Sequence, residues 1–160
     1  MHIDDRACDA FWQAYLNGLA PEHPHRSARP DRFGFGGEPE LAEELALLTL
    51  AGTKRATTSL AEEYTSLGEP LPRAGDLSIV VRGDGTPAAI IELTHVTTRP
   101  FAEVDATYAA IEGEGDGSLA AWRSDHLDYF GRVRARRGER FDPATSEVIC
   151  KLFRVIWPQR

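Results

Sequence analysis

The tetrapeptide Gly83-Asp84-Gly85-Thr86 sits between two apolar runs, Asp76 to Arg82 and Ala88 to Thr98. An Asp-Gly step flanked by hydrophobic runs is a strong hairpin signal, because tight turns need backbone conformations that glycine adopts freely. The two runs are therefore predicted to be antiparallel neighbours. Regular alternation of strands and crossover helices is excluded for this part of the chain.

Helical periodicity lies on both sides of that hairpin. Cys8, Phe11, Trp12, Tyr15, Leu16 and Leu19 recur at spacings of three and four, which predicts an amphipathic helix over Asp5–Leu19 closed by Gly18 and Pro21. Residues 21–37 carry three prolines and three glycines and read as a loop, with His23 and His25 as surface residues. Glu38-Pro39-Glu40 starts a second helix, with a buried stripe of Leu41, Leu45 and Leu48 and an end at Gly52. Lys54 to Leu60 suits a short strand. Asp105 to Ile111 looks helical, and Ser118 caps a long helix from Leu119 to about Arg137 with Leu119, Trp122, His126, Phe130 and Val133 on one stripe. Glu147 to Trp157 is the last strand. The order α–α–β–β–β–α–α–β predicts one α+β domain over 1–160 with a small, mostly antiparallel sheet or barrel.

At 160 residues and 42% hydrophobic composition the chain suits a single packed core. No apolar run approaches the ~20 residues of a membrane span, and Met1–Leu19 has no apolar signal segment. Cys8 and Cys150 stand in unrelated contexts, so neither a disulfide scaffold nor a cysteine metal site organises the fold. The expectation is a soluble, cytoplasmic protein.

The net charge of −7 argues against indiscriminate coating of nucleic acid, but it is unevenly distributed. Residues 123–160 hold nine basic and five acidic residues, leaving nine basic and 20 acidic in residues 1–122. A local basic surface can still attract a polyanion; a solvated helix face is the plainer reading. Sixteen of the 18 basic residues are arginine, and only Lys54 and Lys151 carry an amine that can lose its proton when desolvated.

Lys54, Arg55, Thr57, Thr58 and Ser59 form the densest polar cluster. On a strand Thr57 and Ser59 share a face while Thr58 points away. A lysine beside a hydroxyl serves as base to a nucleophile or as a cation facing a phosphate; a threonine-rich edge strand is the structural alternative. Glu112-Gly113-Glu114-Gly115-Asp116 places three carboxylates within five residues, suited to proton transfer or to a magnesium ion, or simply to an acidic turn. His126 lies on the apolar stripe of its helix, where a buried, hydrogen-bonded histidine is the commoner outcome. Neither a P-loop nor a GxGxxG motif occurs, so no organic cofactor is expected.

Taken together, these segments resemble the ASCH family. The similarity rests on Gly52-Thr53-Lys54-Arg55-Ala56-Thr57-Thr58-Ser59, on Phe33-Gly34-Phe35-Gly36, and on Gly68-Glu69-Pro70-Leu71-Pro72 with Gly75-Asp76. It continues through Glu112 to Leu119, Trp122-Arg123 with His126 and Tyr129-Phe130, then Val148-Ile149-Cys150 and Phe153-Arg154-Val155. The resemblance implies a PUA-like fold, a small β-barrel surrounded by helices with a cleft between them, and an association with RNA.

Some members of similar size are magnesium-dependent ribonucleases on single-stranded RNA. A shorter branch deacetylates acetylated cytidine with a lysine, a threonine three positions later and a downstream glutamate, which correspond to Lys54, Thr57 and Glu112. The leading expectation is an RNA-directed hydrolase: Lys54, Thr57 and Glu112 catalytic, Asp116 assisting at the acidic turn, and Arg55, Ser59 and Arg123 holding substrate. Phe35, Trp122, His126 and Tyr129 would line the cleft, the aromatic ones stacking on a base. An acetylcytidine amidohydrolase and a non-catalytic module for RNA or a modified nucleoside are the alternatives. The family's last strand usually has glutamate where this chain has Lys151.

Overall fold

The computed structural model describes residues 2–159. Its sheet has the strand order β1-β3-β4-β5-β2. These strands are β1 (Asp31–Phe33), β2 (Ala56–Leu60), β3 (Leu77–Val81), β4 (Pro87–Pro100) and β5 (Glu147–Trp157). The β3–β4 hairpin and the β2–β5 pair are antiparallel, and β1 joins β3 in parallel. Five α-helices accompany it: α1 (Asp5–Asn17), α2 (Pro39–Ala51), α3 (Ala61–Leu67), α4 (Ala106–Glu112) and α5 (Leu119–Ala135). The predicted α+β class holds. Two compact units make up the chain, and β4 and β5 each contribute residues to both.

One unit holds the residues up to Gly52, Gly75–Leu93 and those from Arg154 onward. The Asp4 carboxylate accepts the Ala7 amide at 2.9 Å and starts α1. Cys8, Trp12, Tyr15 and Leu16 then pack against Leu77, Ile79, Val81 and Ile90 of the hairpin. At the hairpin tip the Arg82 amide reaches the Thr86 carbonyl at 2.8 Å, while Gly85 takes φ +86°. Two expectations need correction here. The stretch 21–37 is not all loop: Asp31–Phe33 pairs with Ser78–Val80. Three residues are too few to show alternation, and the partner strand supplies the order. On α2 the buried residues are Ala42, Leu45, Ala46 and Thr49, with Leu41 and Leu48 only half-buried. The stripe follows the small residues, whose lack of bulk lets a helix approach its neighbours closely, and leaves Leu47 48% exposed.

The other unit holds Thr53–Ala74 and Thr94–Phe153. One face of β2 and β5, formed by Ala56, Leu60, Val148 and Cys150, packs with Phe101, Val104, Tyr108, Trp122 and Phe130. Helix α3 was not legible in the sequence. It has seven residues, the N–H of the preceding Leu60 donates to Glu63 Oε2 at 3.2 Å, and it ends at Gly68 with φ +66°. Asp105 and Ser118 cap α4 and α5 with their side chains, accepting the amides of Tyr108 at 2.8 Å and Ala121 at 3.1 Å. Cys8 and Cys150 are both buried and free.

Candidate functional site

Lys54 lies between the end of α2 at Gly52 and the start of β2, in a segment pinned by the Arg55 amide on the Ile111 carbonyl (3.0 Å) and the Phe153 amide on the Arg55 carbonyl (2.9 Å). Helix α4 ends alongside at Gly113, φ +69°, whose position for a Cβ is occupied by the Thr53 carbonyl and lies 3.3 Å from Lys54 Cα. Only glycine allows that approach. It brings the residues on either side of it, Glu112 and Glu114, to one amine.

Lys54 is 1% exposed, and its side chain is fully buried. It donates to the Ala56 carbonyl at 2.9 Å and to the Glu114 carboxylate, and it lies 3.5 Å from Glu112 Oε1. An open groove around this amine is therefore not what forms. A buried cation costs several kcal/mol unless countercharges come with it, and both carboxylates do. Glu112 is as buried as Lys54, whereas the Glu114 side chain keeps 21% of its surface accessible.

Glu112 Oε2 accepts the Thr58 hydroxyl at 2.8 Å and the Trp122 indole N–H at 2.6 Å. The Tyr108 hydroxyl, one helical turn before Glu112, lies 3.0 Å from Thr58 Oγ1 and donates to the Thr57 carbonyl at 3.0 Å. Burial raises the Tyr108 hydroxyl far above its usual range, with Glu112 adding to the effect. For the Glu112 carboxyl, burial opposes ionisation, but Lys54, His126 and Trp122 outweigh it and hold the group well below the usual carboxylate range.

His126 Nδ1 stands 2.9 Å from the Trp122 carbonyl, so that nitrogen carries the proton, and Nε2 lies 3.5 Å from Glu112 Oε1. Burial alone would lower its basicity; the facing Glu112 carboxylate raises it above the ordinary imidazole value.

Glu112, Glu114 and His126 could each offer one ligand atom, all within 4.8 Å of one another. Magnesium bound there would lie beside the Lys54 ammonium, whose single charge already offsets one of the two carboxylates, and magnesium prefers an all-oxygen shell. In this structure the two carboxylates serve an ammonium.

The other sequence-derived candidates are dispersed. Thr57 and Ser59 share a face of β2, as the alternation predicts, but Thr58 is the hydroxyl facing Glu112. Opposite Thr57 in the β2–β5 ladder stands Lys151, whose Nζ donates to Ser59 Oγ at 2.6 Å and lies 3.3 Å from the Tyr64 hydroxyl. Trp122 is buried and stacked against His126 at 4.1 Å and Phe101 at 5.3 Å, so it is not an exposed stacking platform. Phe35 belongs to the other unit and is buried edge-on against Phe33 at 5.1 Å.

Tyr129 is half-buried against Phe130. Asp116 is exposed and accepts the Ser118 amide at 2.8 Å. Arg55 and Arg123 are exposed, the latter reaching the carbonyls of Ala102 and Val104 at 3.3 and 3.4 Å. Glu114, Thr58 and Tyr108 are the cluster members absent from the sequence-derived set. The glycine-spaced acidic run contains Glu114, and a spacing of four from Glu112 is the signal that would have found Tyr108.

Residues 31–157 match the family model of the ASCH domain. Among solved structures, an ASCH domain from Lactobacillus crispatus JV V101 is similar at 32% identity and a TM-score of 0.87, covering 97% of this chain and 96% of that one. Protein EF3133 from Enterococcus faecalis V583 is similar at 30% identity and a TM-score of 0.82, covering 94% of this chain and 88% of that one. No curated protein matches.

Proposed function

The chain belongs to the ASCH domain family, and from that premise we propose that it binds single-stranded RNA and hydrolyses it at the Lys54 cluster. The observation that carries this reading is a buried ammonium held by two carboxylates, of which only Glu114 reaches solvent. A phosphate oxygen that takes the place of Glu114 keeps the cation paired throughout. In a low-dielectric site the ammonium then stabilises negative charge developing on the phosphoryl group. The released Glu114 carboxylate accepts the proton of the attacking hydroxyl. As the nucleophile's oxygen bonds to phosphorus and the bond to the leaving group breaks, the proton held by Glu114 passes through water to the departing oxygen, which restores the carboxylate.

Glu112 stays ionised and keeps Lys54 an ammonium, while Thr58 and Trp122 hold that carboxylate in place. The exposed Arg123, Arg132, Arg136, Arg137 and Arg140, on α5 and the turn after it, supply sequence-independent attraction for a phosphate backbone. An amidohydrolase at the same cluster draws its hydroxyl from Thr58, the one that meets Glu112, and not from Thr57.

The test is incubation of the purified protein and of Lys54→Met with end-labelled single-stranded RNA, with and without magnesium. Shortened products from the wild type, absent for a variant that still melts cooperatively, are expected. RNA bound but uncut identifies a binding module, and release of acetate from acetylcytidine with RNA intact identifies the amidohydrolase. With neither binding nor cleavage of RNA the proposal fails.

A further inference from the structure

The chain has two lysines, and they serve opposite faces of β2. Lys54, which leads into the strand, lies on the side of Thr58 and is enclosed by Glu112 and Glu114. Lys151 stands opposite Thr57 in the β2–β5 ladder, so it projects to the face of Thr57 and Ser59. There its Nζ donates to Ser59 Oγ at 2.6 Å and to the Tyr64 hydroxyl at 3.3 Å, and lies 5.9 Å from the centre of the Tyr64 ring. Among the described residues no carboxylate pairs with it.

These three side chains come from β2, α3 and β5 of one compact unit, and all are half-buried. Ser59 and Tyr64 turn their oxygens to the ammonium as acceptors, so each keeps its own proton to donate elsewhere. Among the described residues neither hydroxyl has an acceptor for it. The ammonium has three donors, and the two hydroxyl oxygens take two of them. Three donor hydrogens and one positive charge are thus gathered around a single nitrogen. A ring face and two neutral oxygens stabilise a cation without offsetting its charge. On the other side of β2, by contrast, the countercharge comes from the chain itself.

The complement of such a cluster is a compact anion with several acceptor oxygens. A carboxylate offers two, in one plane, whereas a phosphoryl group offers three to donors arriving from different elements. We propose that Ser59, Tyr64 and Lys151 form a phosphoryl-binding site on the face of β2 away from the Lys54 cluster. It goes beyond the assignment of cleavage to that cluster and stands without it. The phosphoryl group belongs either to a nucleic acid backbone or to free phosphate.

The presence of only two lysines makes the test site-specific. Protein isotope-labelled at lysine Cε gives one NMR signal for each, and the signal missing from Lys151→Arg belongs to Lys151. Inorganic phosphate is titrated at constant ionic strength, and a short single-stranded oligoribonucleotide is titrated in parallel. The Lys151 signal is expected to move and saturate. Ser59→Ala and Tyr64→Phe, which each delete one oxygen, should weaken the binding on the order of fivefold.

A signal that moves at lower oligonucleotide than phosphate concentration makes the ligand a backbone phosphate; the reverse order makes it free phosphate. A Lys151 signal that neither ligand moves overturns the assignment, as does an affinity in either hydroxyl variant equal to that of the wild type. The Lys54 signal reports on its own cluster, so RNA left uncut removes the hydrolase reading without touching this one.

Discussion

At Gly113 the chain takes φ +69° exactly where the Thr53 carbonyl would meet a Cβ, and the residues on its two sides supply the countercharges of Lys54. Gly117, four residues on, has φ +73° and nothing within 4 Å of a Cβ. The two glycines thus separate conformational cost from steric cost. Gly117→Ala should cost about 1 kcal/mol, the ordinary left-handed penalty. Gly113→Ala should cost roughly 3 kcal/mol or more, because backbone must move against backbone beside a buried ion pair. Urea unfolding of both variants checks this, and equal losses would show that the loop tolerates displacement at Gly113. Thr58 teaches a related lesson. Alternation along β2 separates it from Thr57 and Ser59, but a strand of five residues does not say which of its faces turns toward the acid.

Among the elements, α4 matters most to the site for its size. Its seven residues carry Tyr108 and Glu112 one turn apart on the face toward β2, and it ends at Gly113. A helix this short is not stable alone. Its first turn depends on Asp105, which accepts the Tyr108 amide at 2.8 Å. Asp105→Ala should lower stability by ~1 kcal/mol, and amide exchange in residues 106–113 should speed up more than in α5. Exchange that rises evenly over both helices would mean that tertiary packing, not the cap, holds α4. The cap at Ser118 made α5 readable, since it acts within one turn. Neither β1 nor α3 shows a repeat: three residues paired with a distant strand and two short turns of helix leave little periodicity to read.

On the scale of the whole molecule, the paired charges around Glu112 set a pH window for stability. The Glu112 carboxyl is held below its ordinary 4.5, so its contribution is complete above that value and is lost as pH falls further. His126 is held above its ordinary 6.5, so its contribution is complete below that value and fades as pH rises through the raised one. The cluster therefore stabilises most between about pH 4.5 and 6.5. Glu112→Gln should cost on the order of 3 kcal/mol inside that window, because it takes a countercharge from a buried ammonium. The difference between wild type and variant should shrink toward both ends of the range. A difference that stays constant with pH, followed by urea midpoints, would show that Glu112 acts by hydrogen bonding alone. Among the described residues no helix is long and apolar enough to cross a membrane.

The α+β class, the hairpin, the capped helices and the two polar runs around Lys54 and Glu112 follow from the sequence by itself, because each depends on contacts within a turn, a strand or one helical repeat. Only the tertiary structure decided that Thr58 and not Thr57 meets Glu112, that Lys54 is enclosed, and that Trp122 is stacked against His126 and Phe101. Those outcomes depend on which strand pairs with which and on how closely α4 approaches β2. Such pairings join residues 50 or more positions apart, a separation over which no local pattern carries information.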